Sequence, residues 1–379
     1  MKTKLATAIA FSLLAGTTFA APTFYGEIDA TVDYLPEDNA SPVSDRDVIE
    51  LNTNNSFLGL KGEEKLTDRL SGLYQAEFTF YVDNGGSNDT FVPRNLLVGL
   101  KDEKLGTVKL GKIDTPVKQL SSVVDTFNNY VANKADMAGI FSGENRIDNV
   151  VVYEAPGFAV GEGKLKATAL LATGEAGGIS AKVAGRGLGD AWSASLVYDS
   201  KAVVLGLGYD KAIPSNFAGV GILNTQNGEI GAAKALLAAA DTIRAIGRVN
   251  VNDNLAIKAL FQTSDLAEVE GNSNATSVAS SGIAVNGNDI DDAQGWLIGA
   301  EYKLPNADKW TVKGQYSQNS TSFTKANVAD FEAQQILVGA DYAFSKQVKA
   351  YGYTGLLTLE QGSAETKQPV VGTGVEYKF

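Results

Sequence analysis

The feature that most constrains this chain is a two-residue alternation of apolar side chains that recurs from end to end. No apolar run after the first twenty residues is long enough to cross a membrane as a helix. The last ten residues state the pattern most cleanly. Read as an extended strand, Val371, Thr373, Val375, Tyr377 and Phe379 fall on one side, and Gly372, Gly374, Glu376 and Lys378 on the other. A terminal strand with a bare edge invites aggregation unless another strand pairs with it. The natural partner is Phe24 to Tyr34, where Phe24, Gly26, Ile28, Ala30, Val32 and Tyr34 alternate with Tyr25, Glu27, Asp29, Thr31 and Asp33. Pairing first strand to last closes a barrel.

The same rule yields about sixteen candidate strands, an even count of the kind closed membrane barrels use. Short turns such as Ser200-Lys201, Asn252-Asp253-Asn254 and Ser345-Lys346 alternate with long connections. Aromatic residues open or close many of the apolar faces, as expected where a barrel meets both membrane interfaces. Mean hydropathy is −0.06, because each strand is half apolar and half polar. A soluble sandwich would bury its apolar faces and need no aromatic girdle. The second strand, Asp47 to Gly62, is the least regular: its parity shifts between Leu51 and Leu58, as at a bulge. The expected fold is therefore all-β, a 16-stranded antiparallel transmembrane β-barrel.

Residues 1–20 read as a secretory signal: Lys2 and Lys4, an apolar run from Leu5 to Ala15, then Thr18-Phe19-Ala20 as a small-x-small cleavage site. The mature barrel is expected over 21–379. The formal charge of −12 becomes −14 without Lys2 and Lys4, which argues against a nucleic-acid partner. There is no Cys, so an exported chain must hold itself by packing and hydrogen bonds alone. There is no His, which removes Ser-His-Asp and Cys-His catalysis and His-ligated metal sites. No enzyme activity and no cofactor are expected.

A barrel of this size is too wide for side chains to fill and keeps a water-filled lumen, and the inward residues are mostly polar or small, as that requires. One connection, 113–147, is far too long for a turn and is expected to fold inward and set the size limit. It carries Asp114, Asp125, Asp136 and Glu144, with Lys112 and Arg146 near its ends. Acids facing bases across a narrow gap would create a transverse field that orients solutes. The alternative is that these acids merely solvate an external loop. Ala232 to Ala240 has the composition of a short helix. The acidic Glu37, Asp38, Asp45 and Asp47 offer either a divalent-cation bridge to lipopolysaccharide or an ordinary solvated loop.

With these segments in order, the mature chain resembles the general porins of Gram-negative outer membranes, especially the neisserial and related proteobacterial type. The carriers are Phe24-Tyr25-Gly26, Leu58-Gly59-Leu60-Lys61-Gly62, Val98-Gly99-Leu100-Lys101 and Leu105 to Lys112. Asn145-Arg146, Asn149, Tyr153, Ala155-Pro156, Phe344-Ser345-Lys346 and Phe379 complete the set. The resemblance implies a homotrimer in the outer membrane, in contact with its lipid and lipopolysaccharide. Each barrel would be a passive pore for ions and small hydrophilic solutes, with the third external loop inside. It implies that Phe379 is read by the barrel-assembly machinery. It also implies a ladder of bases facing loop acids: Arg94 and Arg146 match two ladder positions, Lys61 and Lys112 are their neighbours, and Asp136 and Glu144 face them. Glu27 and Phe57 stand where the family's pattern is often basic, and the loop's Pro-Glu-type signature is missing, so the expected selectivity is weak, leaning to cations. The alternative is a substrate-specific outer-membrane channel, which one solute would block at low concentration.

Overall fold

Chain neighbours pair antiparallel along the whole described sequence, because hairpins are what alternating segments joined by short turns form. The computed structural model describes residues 21–36, 47–83, 91–128, 137–173, 187–217, 237–268, 276–279 and 281–379. The expected signal, Glu37, Asp38 and Asp45 lie outside them.

The first strands are β1 (Thr23–Leu35), β2 (Val48–Thr53), β3 (Phe57–Lys65), β4 (Leu70–Thr79), β5 (Val92–Asp102) and β6 (Gly106–Asp114). Two helices follow, α1 (Pro116–Val124) and α2 (Met137–Ile140). Next come β7 (Arg146–Glu154), β8 (Phe158–Val160), β9 (Gly163–Ala172), β10 (Ala191–Asp199), β11 (Val203–Asn216), β12 (Leu237–Asn250) and β13 (Leu255–Leu266). The last are β14 (Thr276–Val278), β15 (Ala284–Asn286), β16 (Ile290–Lys303), β17 (Trp310–Phe323), β18 (Phe331–Ala343), β19 (Val348–Gln361) and β20 (Ala364–Lys378). β2 and β3 are two halves of one strand, β8 extends one turn, and β14 with β15 forms a separate hairpin. The barrel thus has 16 strands.

Closure is made as the alternation requires. β1 pairs with β20 from Glu27↔Lys378 to Tyr34↔Val371. The Gly26 and Phe379 backbones exchange hydrogen bonds of 3.0 and 3.1 Å. Val371, Val375, Tyr377 and Phe379 are exposed on one face, while Gly372, Gly374 and Glu376 are buried on the other. Aromatic pairs stand on the exposed face near its edges, among them Trp192–Tyr209 and Trp310–Tyr342, each 5.0 Å between ring centroids. The irregular second strand breaks at Asn54 to Ser56, between the two registers that β1 makes with β2 and β3. Asn55 takes φ +55° there, a region asparagine tolerates better than most residues.

One expectation changes. Leu237 to Ala240 is not helical: it pairs with Ile213 to Asn216 as the start of β12. Ala238, Ala239 and Ala240 are fully buried there. The inward face is not uniformly polar or small. Leu260, Leu297, Phe331, Leu357 and Leu359 point inward and pack with Leu120, Val124, Ile140 and Phe141 of the long connection. A loop folded into a lumen needs an apolar bed, and part of the wall supplies one.

Candidate functional site

The long connection enters the lumen as an amphipathic helix. Thr115 caps α1 by accepting a hydrogen bond from the Lys118 N–H at 3.2 Å, and Pro116 sits at the first turn where its missing N–H costs nothing. Pro116, Val117, Leu120, Ser121 and Val124 form its buried side. The bed is β11, where Leu205 and Leu207 are exposed on the outer face and Gly206 and Gly208 face the helix. A Cβ on either glycine would lie 2.8 Å from a Leu120 methyl, so the helix approaches the strand backbone directly.

Beyond α1 the chain continues along the inner wall. The Thr126 N–H donates to Gln315 Oε1 of β17 at 2.8 Å. Phe127 is fully buried, against Gly339 of β18 and beneath the Lys313 ammonium, 4.8 Å from its centroid. The returning leg bonds to β13 and β11 through Ser142–Ser264 at 2.7 Å and the Gly143 N–H to Ser215 Oγ at 2.6 Å.

Arg244, inward on β12, fastens both legs. Its side chain is fully buried. Nη1 donates to the Val117 carbonyl at 3.2 Å, to Ser121 Oγ and to the Glu144 carboxylate. Nη2 donates to the Ser142 carbonyl at 2.7 Å, and Nε to Gln262 Oε1 at 2.7 Å. The planar fork of a guanidinium suits such a task, since its donors diverge in fixed directions. Sequence reading passed over this residue. The signal available was an inward arginine between Thr242 and Ile246, opposite a glycine pair, Gly206 and Gly208, on the neighbouring strand.

The expected site residues separate into groups. Lys61, Phe57 and Arg94 come together on the wall of β1 and β3 to β5. Lys61 Nζ lies 4.5 Å over the Tyr25 ring. Tyr25 OH donates to Glu77 at 2.9 Å, and Arg94 pairs with Glu77 at 2.5 Å while stacking 4.9 Å over Phe57. Arg94 reaches this inner face because β5 carries an extra residue there: the register steps from Ala76↔Leu96 to Phe78↔Pro93. Glu27 pairs across the strands with Phe57 on the same wall and lies 3.4 Å from Lys378.

Lys112 is corrected. It pairs with Leu96, and Leu110 with Val98, so it lies on the outer apolar face, where it pairs with Asp148. The local bulge between β6 and β7 is absorbed by β7, with Asn149 at φ +56°, and β6 keeps its alternation. Arg146 closes the root of the loop, 3.0 Å from Asp114 Oδ1, a carboxylate that also meets Lys118 at 3.4 Å and Asn95 at 3.0 Å. Glu144 is taken up by Arg244 and does not face Arg94. Asp136 lies outside the described residues.

Strand order places the Lys61–Arg94 wall about half a turn round the sheet from the β10 to β13 bed. The described surface of α1 left exposed to the lumen is Gln119 and Ser122, beside the paired Lys118. The passage therefore runs between a neutral polar helix face and a wall where Arg94 is paired with Glu77 and Lys61 lies over the Tyr25 ring.

A closed barrel with an outward apolar surface and a long connection fastened against its inner wall defines a transmembrane β-barrel protein. The chain matches the Gram-negative porin family profile over residues 6–361 and belongs to that family. It lies in the outer membrane. It is 29% identical over 175 residues to the major outer membrane protein P.IA of Neisseria meningitidis serogroup C, which covers 42% of this chain and 44% of that protein. An outer membrane porin of Bordetella pertussis is 29% identical over 174 residues, 40% and 45% of the two chains. The matches thus span less than half the length of these relatives. Among solved structures, an anion-selective porin from Comamonas acidovorans aligns with TM-score 0.64 at 21% identity, over 95% of this chain and 99% of the other. A trimer form of OmpT from Vibrio cholerae aligns with TM-score 0.60 at 17% identity, over 95% and 99%. These likenesses concern the fold.

Proposed function

We propose that the protein is a general diffusion porin, a homotrimer passing ions and small hydrophilic solutes down their gradients without catalysis. The long loops face the outside and the short turns the periplasm. The observation that carries the reading is the inward-fastened connection: it narrows the lumen, yet two of its acids, Asp114 and Glu144, are consumed by Arg146, Lys118 and Arg244, and Asp125 accepts from the Phe127 N–H at 3.2 Å. A passage lined by such pairs has little net field, so it sorts by size more than by charge. At the long-loop end the residual charge is negative and favours cations. Asp33 accepts from Asn52 at 2.8 Å and Tyr353 at 2.8 Å, neutral donors both, and no cation of a described residue lies within 4.0 Å of it.

Reversal potentials in planar bilayers under a potassium chloride gradient test this. A small potential of cation sign is expected, and a strong anion preference would contradict it.

A further inference from the structure

The short-turn end of the lumen carries a belt of lysines, several with a carboxylate in contact. Lys258 meets Glu301 at 2.6 Å, Lys313 meets Asp341 at 2.9 Å, and Lys349 meets Glu376 at 2.8 Å. On the opposite arc, Lys166 meets Asp199 at 2.6 Å. Lys61, Lys164, Arg248 and Lys303 break the pattern, and the last two lie together. Arg248 of β12 bonds only through Nε, to Asn250 Oδ1 at 3.1 Å, and Lys303 of β16 makes no side-chain bond to a described residue. No carboxylate of a described residue lies within 4.0 Å of either.

Both line one cavity of about 510 Å³ at this mouth. Of the acids around it, Glu301 is held by Lys258, and Asp253 by Lys201 at 3.4 Å on the rim. Glu162 alone stands without a described cation, so the uncommitted charge in the cavity is positive. An arginine fork and a mobile ammonium offer a small oxyanion several charge-assisted hydrogen bonds, stronger than neutral ones.

We infer that the periplasmic mouth holds a binding site for a small oxyanionic solute, a phosphate or a carboxylate, between Arg248 and Lys303. The inference rests on the porin reading, since the cavity opens on the solute path. A solute bound there lingers at the exit and interrupts the ion current of its own channel.

Single-channel recording of the full-length protein with inorganic phosphate or acetate added on the short-turn side tests the site. Saturable block by one of them is expected, and which one blocks names the group recognised. Arg248→Gln and Lys303→Gln should each raise the half-blocking concentration about tenfold, the loss of one charged hydrogen-bond donor. Lys201→Gln, on the rim, should change it little. Glu301→Gln should lower it, because Lys258 is then released towards the cavity, and this gain cannot arise from a misfolded barrel. Conducting channels that neither anion blocks, or a block that Arg248→Gln and Lys303→Gln leave unchanged, would overturn the site. A protein giving no channel steps at all would instead overturn the porin reading.

Discussion

A guanidinium taken out of water is tolerated only where every donor finds an acceptor, so a fully buried Arg244 reports on the partners it was placed to hold. Removing one member of a buried ion pair typically costs about 3–5 kcal/mol. Arg244→Ala leaves Glu144 uncompensated against the wall and should loosen the seat of the connection while leaving the barrel hydrogen bonds intact. The expected outcome in single-channel recording is larger and noisier conductance at an unchanged heat-stability of the folded barrel. Arg244→Lys should restore part of the quiet state, since it keeps the charge but not the fork. Unaltered conductance in Arg244→Ala would show that the connection is held by apolar packing alone. At the same scale, Asp33→Asn should move the reversal potential towards anions, measured under the same salt gradient as the parent.

At the scale of elements, the seat of α1 depends on two missing side chains as much as on its apolar stripe. Gly208→Val puts methyl groups where Leu120 and the Val117 side chain already lie, 2.8 and 3.0 Å from the new Cβ. The helix must then move into the passage. Reduced conductance is expected, with a lower size limit for permeating sugars in liposome-swelling assays. A normal limit would mean that the strand yields instead.

Element boundaries and faces were largely legible in the residues, because period-two alternation and turn chemistry are local properties. Val371 to Phe379 and its pairing with Phe24 to Tyr34 follow from parity alone, and so does the broken second strand. The side chains of the constriction were less legible for a physical reason. One extra residue in a strand flips every later side chain. Arg94 gains the lumen through a bulge on its own strand. Lys112 loses it because the neighbouring bulge is taken up by β7. Which acid an inward base will meet is a tertiary matter, so Glu144 could be named as a loop acid, but its capture by Arg244, 100 residues away, could not be foreseen.

For the whole molecule, the closing pair of strands carries the remaining edge. With β20 unpaired, β1 and β19 would each expose a row of backbone donors and acceptors. Phe379 ends the closing strand on the outward face, its ring stacked on Tyr377 with centroids 5.8 Å apart. Deleting Phe379 is expected to lower the amount of folded barrel in outer membranes several-fold while purified chain still refolds in detergent. Equal yields in cells would separate this residue from assembly. The most direct test of a narrowed, water-filled passage is single-channel conductance measured with neutral sugars of graded size. Discrete ohmic steps are expected, depressed by sugars small enough to enter and restored by those too large to do so. A protein that gives no steps, or steps indifferent to sugar size, would contradict it.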